Sequence, residues 1–463
     1  MKTLYKDLVE QTHTFPQEEF RVQDGNLMFH EIDLVDLVQR HGSPLKITYL
    51  PRISEQIHKT KTWFAEAMQK TNYQGQYSFA YCTKSAHFSF IIEECLKNKV
   101  DLETSSAFDI SIIQELKKQG KLPATTNIIC NGFKPDAYIQ GIAELINSGD
   151  HLVTPIFDHK REPIELTNYL EKPCPVGIRI ASEEEPKFQF YTSRLGVRYR
   201  EVVNLYREVI SQFDLYELKM LHFFINTGIN DTSYYWNELL KSVRVYCELK
   251  KICPTLDTLN IGGGFPIKNS LSFDFDYAYM IEEIIHKIKK VCNEEGVEEP
   301  NIYTEFGSYT VGESGALIFK VLGQKQQNDR ERWNMIDSSF MTTIPDSWAL
   351  NKKFLLMAVN NWNNEYERVL LGGLTCDSDD YYNSESHSNA IYLPKFHEGQ
   401  EQYIGFFHTG AYQESVGGYG GINHCLLPDP KWLIIDRDEN GKLVEKVFSE
   451  EQTADPMLRI LGY

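Results

Sequence analysis

The feature that most constrains the fold of this chain is a regular alternation of short apolar runs with amphipathic helical patterns, starting at residue 77. Patterns such as FSFIIEECLKN and YAYMIEEIIHKIKKVC separate the apolar runs. The runs of strand length are 77–83, 99–103, 126–130, 152–157, 176–181, 219–225, 258–262 and 300–305. Strands that alternate with helices form parallel sheets, so eight such units in a row predict an α/β protein built on a TIM (β/α)8 barrel.

Both ends of the chain have the patterns of β structure. The early stretch FRVQDGNLMFHEI predicts a hairpin at Asp24-Gly25, and the late stretch KWLIIDRDENGKLV predicts a turn at Asn440-Gly441. We therefore predict three regions: an N-terminal segment, 1–48, that contributes strands to the β domain; a barrel, 49–315; and a C-terminal β domain, 316–463. A chain of 463 residues, 42% hydrophobic, is long enough for both cores.

Composition excludes several classes of function. The net charge of -18 argues against a nucleic-acid scaffold. No run approaches the roughly 20 apolar residues that a membrane span needs, and the N-terminus lacks the apolar core of a signal peptide. Nine cysteines without zinc-ligand spacing indicate free thiols in a reducing compartment and no structural metal. These features predict a cytoplasmic protein.

Lys84 ends the first predicted strand, in the run YSFAYCTKSA. Strand alternation places the bulky residues of this run on one face, and its small residues together with Lys84 on the other, narrow face. An amine held where water is scarce is a candidate Schiff-base nucleophile. A lysine that reaches solvent at a strand end is the simpler interpretation of this residue alone.

The last two predicted strands end in residues suited to an anion and a cationic ring. Gly262, Gly263 and Gly264 follow the seventh strand, where a TIM barrel often binds phosphate, although glycine triplets also form plain tight turns. Glu305 ends the eighth strand, where its carboxylate is either solvated or paired with a ring nitrogen. An amine, a phosphate cradle and a carboxylate around one mouth suit pyridoxal 5'-phosphate (PLP).

Nearly the whole chain resembles the fold-type III PLP-dependent decarboxylases, the family of ornithine, diaminopimelate and arginine decarboxylases. The motifs that carry the resemblance occur in the family order: YCTKSA at Lys84, DLETSSAFDI at 101–110, NIGGGFP at 260–266, EFGS at 305–308, TCDSDD at 375–380 and TGAYQE at 409–414. The resemblance implies an alanine racemase-like barrel, a C-terminal β domain and bound PLP.

The resemblance also implies roles for single residues in cofactor binding. Lys84 would carry the cofactor as a Schiff base, Gly262–Gly264 would hold its phosphate, and Glu305 would bind the pyridine nitrogen. Tyr412, in TGAYQE, resembles a tyrosine that reaches the phosphate, and Thr227 stands where the family usually has a serine near the phosphate.

Cys376 and Asp377 resemble the pair that a partner subunit inserts into the active site. The thiol would be the catalytic proton donor and the carboxylate would bind the far end of the substrate, so the resemblance implies a homodimer with shared sites. From the residues alone, a thiol is a suitable proton source and an aspartate can pair with a guanidinium or ammonium. A structural thiol and a turn aspartate are the simpler interpretations.

Two positions depart from the family pattern. Ser308 stands where the family usually has an arginine, and Phe224 stands where a histidine usually stacks on the cofactor ring. A phenylalanine can cover the ring face but cannot donate a hydrogen bond. His222 lies on the same strand face two residues earlier, either as a partial replacement or as a plain core histidine.

The segment IDSSFMTTIPDSW at 336–348 resembles that of biosynthetic arginine decarboxylases. No arginine occurs between Met335 and Leu355 to bind a distal carboxylate, whereas Asp377 and Asp346 offer negative charge to a basic substrate. We therefore predict decarboxylation of L-arginine to agmatine, a reaction of polyamine biosynthesis. The alternatives are decarboxylation of diaminopimelate, ornithine, lysine or carboxynorspermidine, racemisation, and a non-catalytic regulatory homologue.

Overall fold

The structure, a computed structural model, describes residues 19–183, 193–225, 229, 232–271, 273–329, 331–382 and 391–463. The chain divides into two compact units. The barrel unit comprises Ser54–Pro266 and Phe275–Thr310. The β unit comprises Met1–Ile53, Ile267–Asp274 and Val311–Tyr463, and its first described residue is Glu19. Residues 267–274 lie within the range predicted for the barrel, but Leu271 packs against the apolar core of the β unit.

The strands of the described residues fall into three groups along the chain. The N-terminal strands are β1 (Phe20–Gln23), β2 (Asn26–Phe29), β3 (Ile32–Asp33) and β4 (Leu45–Tyr49). The strands of the barrel are β5 (Tyr77–Cys82), β6 (Asp101–Thr104), β7 (Ile128–Cys130), β8 (Val153–Phe157), β9 (Cys174–Ile180), β10 (Tyr216–Phe223), β11 (Thr258–Asn260) and β12 (Asn301–Phe306). The later strands are β13 (Gly315–Gln326), β14 (Arg332–Ile336), β15 (Leu355–Ala358), β16 (Tyr366–Gly372), β17 (Tyr381–Tyr382), β18 (Ile391–Pro394), β19 (Tyr403–Phe407), β20 (Lys431–Arg437) and β21 (Leu443–Ser449).

The α-helices of the described residues lie mostly between the barrel strands. Those up to the end of the barrel are α1 (Leu34–His41), α2 (Pro51–Thr71), α3 (Ser89–Lys97), α4 (Ala107–Lys118), α5 (Asp136–Ser148), α6 (Glu162–Thr167), α7 (Tyr199–Glu208), α8 (Thr232–Lys250) and α9 (Tyr277–Glu295). The later ones are α10 (Ser308–Val311), α11 (Phe340–Thr343), α12 (Pro345–Ala349), α13 (Gln413–Gly417) and α14 (Ala454–Leu461). None of the described helices is both long enough and apolar enough to cross a membrane.

Strands β5 to β12 form a closed parallel barrel. Each strand pairs with the next along the chain, and β12 completes the circle by pairing with β5. Each of the eight predicted runs contains or overlaps one of these strands. The predicted (β/α)8 barrel is confirmed.

An apolar layer fills the barrel interior. Its members come from five of the strands and are almost fully buried: Ala80, Ile129, Ile156, Met220 and Tyr303. In a strand, the residue two positions further on faces the same side. The residues that follow this layer therefore point inward at the C-terminal end of the barrel, where TIM-barrel enzymes have their active sites.

The helices around the barrel form because their apolar residues recur with helical spacing. In α9, Ile281, Ile284, Ile285 and Ile288 are buried on one face. The Asp276 carboxylate accepts a hydrogen bond from the Tyr279 N–H at the start of α9, and a left-handed glycine ends the helix. Such helices cover the outside of the parallel sheet.

The β unit contains strands from both ends of the chain. β1 and β2 form the predicted hairpin, with Asp24 and Gly25 both at positive φ in the turn. β4 lies between β13, to which it is antiparallel, and β20, to which it is parallel. The main sheet runs β17-β16-β14-β13-β4-β20-β21, and β20 and β21 flank the predicted Asn440-Gly441 turn. The predicted separate β domain with N-terminal strands is confirmed.

Candidate active site

Polar residues stand directly above the apolar layer of the barrel interior. Two positions beyond five members of that layer are Cys82, Asn131, Asp158, His222 and Glu305, all buried. A strand rises about 3.3 Å per residue, so these side chains start about 7 Å nearer the C-terminal mouth. The barrel interior thus changes from apolar to mostly polar over two residues, which is the pattern of a binding site rather than of a core.

Lys84 lies in a single 3-10 turn, Thr83–Ser85, immediately after β5. Its Nζ donates a hydrogen bond of 2.6 Å to Glu103 Oε2. The Lys84 side chain is 40% exposed, whereas the Glu103 side chain is fully buried. The expected water-poor environment is therefore wrong for this side chain, because the chain turns out of the strand before Lys84 and leaves the side chain partly exposed.

The turn that carries Lys84 is held by the DLETSSAFDI segment. Thr83 Oγ1 donates to the Glu103 carbonyl at 2.9 Å and lies 3.1 Å from Asp109 Oδ1. Asp109 also accepts from the Ser105 N–H and lies 3.0 Å from His87 Nε2. Burial raises the pKa of Asp109, but His87 and the hydrogen bonds lower it to a net value of about 2. The ionised carboxylate thus fixes the position of the lysine turn.

Glu305 is a buried carboxylate at the centre of the mouth. Its Oε1 accepts from Asn260 Nδ2 at 2.6 Å, and its Oε2 accepts from Asn131 Nδ2 at 2.8 Å. His222 Nδ1 lies 3.3 Å from Oε1, at ion-pair distance. Burial raises the pKa of Glu305, but His222, Lys84 and Asn260 outweigh it and lower the pKa to about 2. The carboxylate is therefore ionised throughout the physiological pH range.

Several polar atoms of the mouth have no hydrogen-bond partner among the described residues. They include both ring nitrogens of His222, Oδ1 of Asn131 and Nε of Arg179. Buried polar groups in native proteins are nearly always paired, with protein, water or ligand. Their concentration around Glu305 indicates a site that is completed by a polar ligand.

The glycine turn after β11 leaves space that side chains would fill. Gly262 and Gly264 have positive φ values of 67° and 102°. A Cβ on Gly263 would lie 2.3 Å from the carbonyl oxygen of Glu305. Among the described residues, no acceptor receives a hydrogen bond from the N–H of Gly263 or Gly264. Two half-buried backbone donors in a turn without side chains form a cradle for an anion.

Phe224 follows β10 beside this turn. Its ring lies close to Gly262, and the Arg179 guanidinium carbon is 5.8 Å from the ring centroid. Burial lowers the pKa of Arg179, against the opposing effect of Asp158 and Glu305. The predicted phosphate contact Thr227 lies outside the described residues.

Cys376 and Asp377 lie in the β unit, on a turn between β16 and β17. The Asp380 carboxylate holds the turn by accepting hydrogen bonds from Thr375 Oγ1 at 2.7 Å and from the Phe340 N–H at 2.9 Å. The exposed Cys376 Sγ is 3.5 Å from Cys425 Sγ, and this neighbour raises the pKa of Cys376. Cys376 is therefore a protonated thiol at neutral pH.

Tyr412 and Asp346 also belong to the β unit. Tyr412 has a positive φ of 70° and immediately precedes α13. Asp346 is buried, and its Oδ2 accepts from Lys352 Nζ and from Gln413 Nε2, both at 3.1 Å. The negative charge predicted for substrate binding at Asp346 is thus already balanced by Lys352 within this unit.

Sequence reasoning missed several members of the mouth. Glu103, Asn131, Asn260 and Arg179 all lie at or near the C-terminal ends of barrel strands. The sequence signal that could have found them is a polar residue at the end of an apolar run. The C-terminal ends of all barrel strands face the same mouth, so such residues lie at the site. Applied to each predicted strand, this rule selects Glu103 and Asn131, whereas Asn260 and Arg179 lie inside the predicted runs 258–262 and 176–181.

Comparisons with known proteins agree with this geometry. Residues 54–312 match the family model described as "Pyridoxal-dependent decarboxylase, pyridoxal binding domain". The chain is 22% identical to the biosynthetic arginine decarboxylase of Thermosynechococcus vestitus, over 93% of this chain and 85% of that protein. The crystal structure of the biosynthetic arginine decarboxylase of Campylobacter jejuni superimposes with a TM-score of 0.82 at 20% identity, covering 96% of this chain and 89% of the other. The diaminopimelate decarboxylase of M. jannaschii in co-complex with L-lysine gives a TM-score of 0.78 at 18% identity, with coverages of 96% and 98%.

Proposed function

This chain belongs to the pyridoxal-dependent decarboxylases, and we propose that its substrate is L-arginine, which it converts to agmatine and carbon dioxide. The observation that carries the proposal is the charged barrel mouth in a chain that is similar to a biosynthetic arginine decarboxylase over 93% of its length. The absence of arginine from 336–354 also supports it, since a guanidinium is the side chain best suited to bind the second carboxylate of a substrate such as diaminopimelate.

The residues of the mouth fit a phosphorylated pyridine cofactor. The accessible Lys84 amine would hold its aldehyde carbon covalently, the N–H groups of the glycine turn would bind its phosphate, and the ionised Glu305 would bind its ring nitrogen. When bound, the cofactor withdraws the electron pair that the departing carboxylate leaves at the α-carbon. Glu305 supports this withdrawal because a carboxylate keeps the ring nitrogen protonated.

Phe224 would take part in orienting the ring. Its side chain lies beside Gly262, close to the proposed phosphate cradle, and an aromatic ring can stack on a pyridine face. His222 stands under the same region, with its Nδ1 3.3 Å from Glu305 Oε1. We infer that Phe224 packs on the ring while His222 stabilises the Glu305 carboxylate from below.

Cys376 and Asp377 would complete the site in the partner subunit of a homodimer. The Cys376 thiol is exposed and protonated, so its Sγ can donate a proton to the α-carbon after decarboxylation. Asp377 is half-exposed on the same turn and would pair with the substrate guanidinium, and Tyr412 would contact the phosphate. A cytoplasmic location is part of the same proposal, supported by nine free cysteines.

A panel of carboxyl-labelled amino acids tests the choice of substrate. Purified holoenzyme receives arginine, lysine, ornithine, diaminopimelate or carboxynorspermidine, and labelled carbon dioxide is counted. We expect the kcat/KM for arginine to exceed the others by at least about 100-fold. Asp377→Asn should raise the KM for arginine at least about tenfold, whereas Asp379→Asn, an exposed neighbour, should not. A higher kcat/KM for any other amino acid would refute the proposal.

Mixing two inactive variants tests the shared dimeric site. Lys84→Ala and Cys376→Ala chains each lack one component, but a mixed dimer contains one complete site. Random mixing should therefore restore about a quarter of wild-type activity. Activity that stays at the level of the separate variants would show that each chain uses its own cysteine or that no dimer forms.

A further inference from the structure

Two segments of the β unit that are 49 residues apart in the chain bring a second thiol and an imidazole to Cys376. Cys376 Sγ lies 3.5 Å from Cys425 Sγ, and the Cys376 N–H lies 3.4 Å from the same sulfur. The preceding residue, His424, has a ring nitrogen within 4.8 Å of both sulfurs. All three residues are exposed. The sequence predicted no metal ligands because this separation does not match any zinc motif.

Both segments are held in place by hydrogen bonds to carboxylates. Asp380 anchors the Cys376 turn through Thr375 and the Phe340 N–H. On the other side, Asp429 accepts from the Gly420 N–H at 2.6 Å and from Asn423 Nδ2 at 3.0 Å. Asn423 directly precedes His424 and is buried. The two sulfurs and the imidazole are thus presented by anchored backbone.

The backbone at Cys425 has an unusual conformation that brings its thiol to Cys376. Cys425 and Leu426 have φ values of 55° and 54°, in the left-handed region that non-glycine residues adopt infrequently. Such conformations persist only where the surrounding structure fixes them, and they concentrate at functional sites. This observation is independent of the distances between the ligand atoms.

The arrangement matches the needs of a thiophilic cation. Zinc binds thiolate sulfur at about 2.3 Å, so two tetrahedral sulfur ligands are about 3.8 Å apart. The observed 3.5 Å separation is close to that value. Two cysteines, one histidine and an open fourth position are a known donor set for Zn²⁺. Asp377 Oδ2 lies 3.9 Å from His424 Nε2 and can orient the ring.

We propose that Cys376, Cys425 and His424 bind a thiophilic divalent cation, such as Zn²⁺, and that binding inhibits decarboxylation by occupying the Cys376 sulfur. The inhibition rests on the proposed role of Cys376 as proton donor, whereas the metal site does not. On binding, each thiol releases its proton to solvent and the two thiolates coordinate the metal, with no change in oxidation state.

Calorimetry on the holoenzyme tests the site without using activity. Metal-free, reduced holoenzyme is titrated anaerobically with ZnCl2 in buffers of different ionisation enthalpy. We expect one tight site per chain, release of about two protons, and a loss of affinity of at least about 100-fold in Cys425→Ser. His424→Asn should weaken binding at least about tenfold, whereas His397→Asn, another exposed histidine, should have no effect.

A parallel assay of decarboxylation tests the inhibition. Zinc should inhibit the wild-type enzyme reversibly, and Cys425→Ser should retain activity at the same zinc concentration. Three results would overturn the proposed metal site. They are no zinc binding, equal zinc binding by Cys425→Ser, and a mass loss of two hydrogens that shows a disulfide between Cys376 and Cys425. Zinc could also bind in a Cys425-dependent way without inhibiting, while Cys376→Ala remains active. That result would support the metal site and refute the proposed catalytic role of Cys376.

Discussion

The two units each contain a cluster of buried charges, and the clusters differ in how accessible the charges are. In the β unit, Arg52 lies between Glu19 and Glu313, at 2.9 and 2.6 Å from their carboxylate oxygens. His408 lies 3.5 Å from Glu19 and Lys268 lies 3.4 Å from it. We call these five residues the β-unit cluster. Arg52, both of its carboxylate partners and His408 are almost fully buried.

The mouth cluster of the barrel consists of Lys84, Glu103, His222 and Glu305. Its two carboxylates are buried, but its lysine side chain is 40% exposed. A glycine cradle lies beside it. The β-unit cluster has the features of a structural ion network, whereas the mouth cluster combines fixed charge with an accessible nucleophile and a glycine cradle. Buried charge alone therefore does not identify the active site.

Removing the central cation of the β-unit cluster should have the largest effect on stability. Arg52→Met leaves the buried Glu19 and Glu313 without their shared partner, so we expect a loss of about 3–5 kcal/mol in the free energy of unfolding. Denaturant unfolding measures this, and the kcat of the remaining folded holoenzyme should be unchanged. Arg40→Met removes an exposed pair with Glu445 and should change stability by no more than about 1 kcal/mol. Equal effects of the two substitutions would contradict the structural role.

In the mouth cluster, we expect a substitution to reduce the catalytic rate rather than the stability. Glu305→Gln retains the shape of the side chain but removes the charge that keeps the cofactor nitrogen protonated, so kcat should fall about 100-fold. The measurement is the rate of carbon dioxide release per cofactor-loaded chain. Glu313→Gln is the matched control because it removes a buried carboxylate from the other cluster. If both variants lose kcat to the same degree, the distinction between the clusters fails.

The smallest expected effect is a difference in pH dependence. Burial lowers the pKa of His408, but the Glu19 carboxylate outweighs burial, so the net pKa lies above its ordinary 6.5. A raised pKa in the folded state gives stability that is present below pH 6.5 and is lost as pH rises through the folded value. The pKa of Glu305 is lowered from 4.5 to about 2, so its contribution is lost as pH falls below 4.5.

Thermal unfolding between pH 6 and pH 9 measures the stability that is lost as pH rises through the pKa of His408. We expect the wild-type unfolding temperature to fall over this range more steeply than that of His408→Asn, which lacks the titrating group. The control is His41→Asn, at an exposed position beside Glu445. A wild-type slope that His408→Asn leaves intact would assign the titration to another group.

The sequence predicted what depends on periodicity. Apolar runs and helical patterns determined the eight strands, and the ends of those strands placed Glu305 and Gly262–Gly264 at one mouth. It did not predict the exposure of Lys84, because whether a chain continues as a strand or turns out of it depends on tertiary hydrogen bonds such as that from Thr83 to Glu103. The proximity of Cys376 and Cys425 was also not predictable, since it arises from two loops of the folded β unit.

The central claim is that the mouth cluster holds pyridoxal phosphate on Lys84, and borohydride trapping tests it most directly. Holoenzyme is reduced, digested and analysed by mass spectrometry. We expect the peptide containing Lys84 to carry the mass of the reduced cofactor and the visible absorption band to disappear. Lys134 is the internal comparison, because its side chain is only 2% exposed and its Nζ is bonded to the Gly132 carbonyl and to Glu162. Attachment at another lysine, or no attachment, would contradict the claim.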